Sequence, residues 1–297
     1  MVFGGEGEEE KIEKAVFGEE CEVLAWRDVP TNPDAIGKDA RAVMPRIRQM
    51  FIGMAKDDFD ERRETRDEKK DNETLDTETS FTHTSHVSRL TSSQSFERRL
   101  YVIRRQIEKT TMKTYVCSCS SRTIVYKGLL LATQIEKFYP DLSDPDFISP
   151  FAIVHQRYST NTFPSWELAH PFRAIAHNGE INALKGNLNA LAAREPSLAF
   201  PDSSVETASV QQQVLLHRPA PAVKTASVQQ QGGSAPYQID LRKILPLIGK
   251  GQSDSASLDN MFELLVAAGR DAPHAMMMLI PQAWGAKYHM GHDVRAF

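Results

Sequence analysis

The chain has 297 residues, 41% of them hydrophobic and 25% charged, with a formal charge of −4. A chain of that size and composition folds as an ordinary globular protein and can bury roughly 75% of its unfolded surface. Its small negative charge gives no general attraction to nucleic acid or anionic membranes. Three cysteines, Cys21, Cys117 and Cys119, exclude a disulfide scaffold and point to a reducing compartment. No apolar run approaches the roughly 18 residues of a membrane-crossing helix, and the acidic N-terminus resembles neither a secretory signal nor a transit peptide.

In chain order, Glu22–Trp26 reads as a strand, followed by a turn at Arg27-Asp28-Val29-Pro30. Ala40, Val43, Met44, Ile47, Met50 and Phe51 recur at steps of three and four, which predicts a helix over about Asp34–Phe51, split or kinked at Pro45. Residues 57–95 change character, first to charged residues and then to Ser and Thr, and are expected to form a disordered insertion because they carry too little apolar area to offset the entropy of ordering. Phe96, Leu100, Ile103 and Ile107 define a helix over Phe96–Lys109.

Tyr115–Cys119 and Thr123–Tyr126 suggest a hairpin closed by Lys127-Gly128. Cys117 and Cys119 would then share one face and serve as small buried hydrophobes, because no further Cys or His stands at metal-ligand spacing and no metal site is expected. Phe151–Val154 and Arg173–Ala176 read as two more strands, each running into a polar cluster, and a helix is expected over about Ala183–Arg194. Between 201 and 237 the heptad Thr207–Gln213 recurs as Thr225–Gln231, and the surrounding Pro and Gly indicate a flexible duplicated loop. Ser253–Leu258 offers several N-caps for a helix stopping near Gly269, and Pro273 can open another ending at Pro281.

Three clusters could carry chemistry. Arg157 suits a bidentate grip on a carboxylate, or else an ordinary surface salt bridge. Asn178-Gly179 could supply two convergent donors to an oxyanion, although the dipeptide alone reads more simply as a hairpin turn. Asp254 could bind an ammonium group, although capping the helix is its default role.

The words around these residues decide between the readings. His155–Trp166 and Ala176–Asn182 resemble the class II glutamine amidotransferase domain of glutamate synthases, and Thr123–Gly128, Phe138–Leu142 and Ser253–Asn260 agree with that family and follow its order. Ala25–Pro30 is a related word with Ala in place of Gly. The resemblance covers about residues 20–56, 96–200 and 238–297, so that 1–56 and 96–297 make up a partial amidotransferase domain.

The resemblance implies an α+β fold, the four-layer αββα sandwich of N-terminal-nucleophile hydrolases, incomplete here. It also implies hydrolysis of L-glutamine to glutamate and ammonia by a cysteine at the mature N-terminus. The ammonia passes to a synthase region, where 2-oxoglutarate is aminated. FMN and an iron–sulfur cluster are expected in that other part of the parent enzyme and none in this chain. Asn178 and Gly179 match the oxyanion pair, Arg157 the group holding the substrate α-carboxylate, Asp254 the partner of its α-ammonium, and Thr160 a further contact at that end.

The sequence departs from the family at its ends. Met1-Val2-Phe3 matches an interior point, and Arg295-Ala296-Phe297 falls in mid-domain, so the chain resembles a fragment. None of the three cysteines carries the required α-amine, and the isolated chain is expected to be inactive. The competing readings are the glutaminase of another class II amidotransferase and a non-catalytic glutamine-binding remnant. The default location is cytoplasmic, or plastid if a targeting segment precedes Met1.

Overall fold

The computed structural model describes residues 1–55, 81–156, 158, 163–179, 181, 184–199, 237–249 and 251–280. Among these, four strands form one antiparallel sheet: β1 (Val2–Gly4), β2 (Cys21–Asp28), β3 (Ile47–Met54) and β4 (Thr114–Val116), in the order β2-β3-β1-β4. The helices are α1 (Glu9–Phe17), α2 (Lys38–Ala42), α3 (Phe81–Thr110), α4 (Ile135–Phe138), α5 (Leu184–Ala199), α6 (Leu241–Ile244), α7 (Asp254–Ala267) and α8 (Ala272–Leu279). The described chain is therefore α+β.

Period-two alternation in β1 assigns the two faces of the sheet. Val2 packs toward Ile12 and Val16 of α1 and Leu100, Ile103 and Ile107 of α3. Phe3 turns to the other face, against Ile47, Phe138, Tyr139 and Trp166. The helix α1 was not read from the sequence, although Ile12, Ala15 and Val16 carry its buried stripe behind an acidic first turn. The α3 helix also buries Tyr101 and Val102 against Ile244, Leu247 and Leu264, so it is apolar on two sides.

The expected helix over 34–51 is corrected. A 3-10 turn at Pro33–Ala35 and the short α2 are followed by β3, which pairs with β2 from Cys21↔Met54 to Asp28↔Arg48 with a register shift between Val23 and Ala25. Pro45 ends helical geometry, and the ladder to β2 outweighs a 3.6-residue stripe that the same apolar residues satisfied by coincidence. The expected hairpin is also absent: β4 spends its hydrogen bonds on β1, Thr123–Tyr126 is not a strand, and Val125 N donates instead to Ser118 Oγ at 3.2 Å. Cys117 lies just past the end of β4 and is fully buried in the core around Phe3 and Trp166.

Phe151–Val154 and Arg173–Ala176 are not strands either. The first keeps Phe151, Ile153 and Val154 exposed, and the second is held by a carboxylate rather than a ladder. The α3 helix starts at Phe81, so residues 81–95 of the segment 57–95 are helical, while residues 56–80 lie outside the described residues. The duplicated heptads, residues 207–213 and 225–231, also lie outside them, as does Pro281. The α5, α7 and α8 helices form where the sequence indicates, with Ser253 Oγ accepting from Ala256 N as the cap of α7 and Gly269 at φ +97° ending it.

Candidate active site

The α7 helix organises the site. Asp254 is its first residue, one position past the cap, where the helix dipole favours a carboxylate. Its Oδ1 accepts from Ser255 N at 2.7 Å and Ser255 Oγ at 3.2 Å. Ser255 Oγ lies 2.9 Å from His177 Nε2, and Gly179 N donates to His177 Nδ1 at 3.1 Å. Because Nδ1 accepts, the ring proton of neutral His177 resides on Nε2, which donates to Ser255, whose hydroxyl proton is then directed at Asp254. Asp254 and the Asn178-Gly179 corner are thus joined by an unbroken chain of hydrogen bonds.

Asn178 itself is exposed, and its Oδ1 lies 2.9 Å from His155 Nε2, which also lies 3.0 Å from the His177 carbonyl. Val154, His155, Gln156 and Asn178 line a cleft of about 260 Å³. Behind it, His170 stacks on His155 with ring centroids 4.5 Å apart and meets His177 edge-on at 5.4 Å. Burial, followed by the neighbouring His155 and His177, pushes the His170 imidazole down to about 4.

The segment bearing the corner is fixed to α7 by buried charge. Asp259, fully buried, accepts from Ala174 N at 2.9 Å and Ile175 N at 3.1 Å and pairs with Arg173 at 3.0 Å. Arg173 and Arg104 both reach Glu263 at 2.8 Å, and Arg104 also holds Glu108 at 2.9 Å. Burial alone would raise the Glu108 carboxyl, but Arg104, Arg173 and Arg105 overcome it and hold that group at about 2. The preceding segment is anchored to the sheet side of the molecule by Lys127 Nζ, which donates to Glu167 O at 2.8 Å, and by Trp166 Nε1, which donates to Ala40 O at 3.2 Å. Gly128 is required there, since a Cβ would collide with the Trp166 ring.

Of the residues singled out in the sequence, Asn178, Gly179 and Asp254 are brought together, whereas Arg157 and Thr160 lie outside the described residues. Tyr158 OH donates to Gly128 O at 3.0 Å and lies 3.2 Å from Ser165 O. His155, His177, Ser255 and Asp259 received no role from the sequence. A carboxylate at Asp259, beside Leu258 and Phe262 on a helix that packs, was the available sign of a buried anchor. Burial pushes the Cys21, Cys117 and Cys119 thiols up to about 11, which keeps all three as neutral, weakly nucleophilic groups.

The described chain is α+β, and Ser255 and His177 link the Asp254 carboxylate by hydrogen bonds to the Asn178-Gly179 corner. The family model for class II glutamine amidotransferases matches residues 5–70, 65–215 and 223–297, and the chain belongs to that family. It is 41% identical over 307 aligned residues to the glutamate synthase [NADPH] large chain of Bacillus subtilis, an alignment that covers 100% of this chain and 16% of that protein. It is 39% identical to the corresponding large chain of Azospirillum brasilense, over 88% of this chain and 13% of that one. With the chloroplastic ferredoxin-dependent glutamate synthase of Spinacia oleracea the identity is 34%, over 93% and 13% respectively. The chain thus spans about a sixth or less of the length of these curated relatives.

Proposed function

We propose that this chain is the glutamine-holding part of a glutamate synthase glutaminase site. Asn178 Nδ2 and Gly179 N–H would receive the oxyanion, Asp254 the α-ammonium, and Arg157 the α-carboxylate, with Thr160 beside it. The observation carrying this reading is the hydrogen-bonded path from Asp254 through Ser255 and His177 to Gly179, which sets an anion for the ammonium and a donor for the reacting amide on one framework. Opposite charges at two edges of one pocket fix an amino acid before reaction, and losing one oxyanion donor commonly costs about 10²–10³ in rate.

The four-layer αββα arrangement belongs to the same proposal, with the described sheet as one of its two. So do the division of the chain into 1–56 and 96–297 and the supply of ammonia to a synthase region. No group of three His, Cys, Asp or Glu suited to a metal occurs among the described residues. In this proposal FMN and an iron–sulfur cluster belong to other parts of the parent enzyme, and nothing in this chain's role passes through them. No described helix is long and apolar enough to cross a membrane.

The neutral, buried thiols favour the reading that the nucleophile is none of Cys21, Cys117 and Cys119. Titration calorimetry tests the pocket: saturable heat with L-glutamine and none with L-asparagine is expected, and equal heats or none would overturn the assignment. A glutaminase assay tests the thiols. Ammonia release that disappears on replacing any of the three cysteines by serine would show that one of them is the nucleophile.

A further inference from the structure

We infer that His177 is a positioning residue that couples occupancy at Asp254 to the availability of the Gly179 N–H. The inference rests on the glutamine reading above and adds to it a role for the imidazole between the two ends of the pocket. The Gly179 N–H does not point into empty space; it donates to His177 Nδ1 at 3.1 Å. It must leave that acceptor to receive an oxyanion. The same ring donates from Nε2 to Ser255 Oγ at 2.9 Å, and Ser255, 2% exposed, gives both its amide and its hydroxyl to Asp254 Oδ1.

An ammonium group binding Asp254 competes for the oxygen that orders Ser255. Weakening that acceptor frees the serine hydroxyl, changes the partner of His177 Nε2 and loosens the ring that detains Gly179. Coupling of this kind needs a contiguous set of groups with two arrangements, and each successive pair from Asp254 through Ser255 and His177 to Gly179 lies within hydrogen-bonding distance. His155 and Asp259 supply the fixed surroundings. His155 holds the Asn178 side chain and the His177 carbonyl, while Asp259 holds the Ala174 and Ile175 amides, so the ring and the Gly179 amide are the parts left to move.

Nitrogen-15 NMR of the whole chain tests this. Without ligand, the wild-type His177 ring is expected as the fixed Nε2–H tautomer. Ser255→Ala, which removes the acceptor of Nε2–H, is expected to shift the His177 ring and Gly179 amide signals, and Ser255→Thr, which keeps the hydroxyl, to restore both. At L-glutamine concentrations that saturate each chain by calorimetry, the Gly179 amide and His177 ring signals should move together in wild type. The Gly179 response should fall several-fold in Ser255→Ala.

Unchanged His177 ring signals and an unchanged Gly179 response in Ser255→Ala, with glutamine heat intact, would overturn the coupling and leave the glutamine pocket standing. No glutamine heat from the wild-type chain would overturn the pocket reading and the coupling with it, even if the unliganded ring behaved as expected.

Discussion

The sheet and its covering helices bury Val2, Ile12, Val16, Ile103 and Ile107 to 3% exposure or less, whereas Ile148, Phe151, Ile153, Val154 and Phe163 on the approach to the cleft are each at least 64% exposed. The first region is held by removal of apolar surface from water. The segment that follows the second, 170–179, buries Phe172 and Ile175 against α7 and is oriented by polar atoms: Asp259 to two amides, Arg173 to three carboxylates, and His177 to Ser255. The comparison teaches that apolar burial builds the frame while directional bonds aim the groups at the cleft. Such bonds fix geometry within tenths of an ångström, but each fails as a unit when one partner is removed.

The strongest way to break the frame is Phe138→Ala. Phe138 is fully buried beside Tyr139 and Trp166, and truncation should cost about 3–5 kcal/mol by denaturant unfolding. A slightly smaller loss, about 3 kcal/mol, is expected for Asp259→Ala, which removes a carboxylate from Arg173. Its distinguishing sign is local: the Ala174 and Ile175 amides should lose hydrogen-exchange protection even under conditions where α3 keeps its own.

Acid separates the two regions next. His170, held at about 4 against an ordinary 6.5, stays neutral in the folded chain while the unfolded chain takes up a proton. Stability should therefore fall as pH drops from 6.5 toward 4, and His170→Gln should flatten that slope in melts across the interval. Glu108, depressed from 4.5 to about 2, contributes stability that is present above 4.5 and is lost as pH falls toward 2, so the two groups act in successive windows. The smallest effect belongs to Phe151→Ala: at 71% exposure it should change stability by no more than about 0.5 kcal/mol. A loss comparable to that of Phe138→Ala would show that the approach to the cleft is packed after all.

Some of this was legible in the residues. The stripe Leu100, Ile103, Ile107 announced α3, Ser253 announced the start of α7, and the Asn178-Gly179 and Asp254 words announced two parts of the site. Local signals sufficed there because helix periodicity and capping are local physics. Strand assignments fared differently. Ile47–Phe51 of β3 reads as helix, and Thr123–Tyr126, Phe151–Val154 and Arg173–Ala176 as strands, because an apolar run says only that a segment can be buried and not what it will pair with. The roles of His177, Ser255 and Asp259 were invisible for a related reason: the His177–Ser255 and Asp259–Ala174 pairs span 78 and 85 residues of the chain.

By itself the sequence determined the class of protein, the central helix, the caps and the chemical types available at the cleft, since these follow from side-chain identity and near neighbours. Only the tertiary structure decided that β4 pairs with β1, that Asp259 replaces a ladder beneath residues 173–176, and that Asp254 reaches Gly179 through Ser255 and His177. Each of those is a choice among competing acceptors for a limited set of donors, and that choice is made when distant segments meet and exclude water.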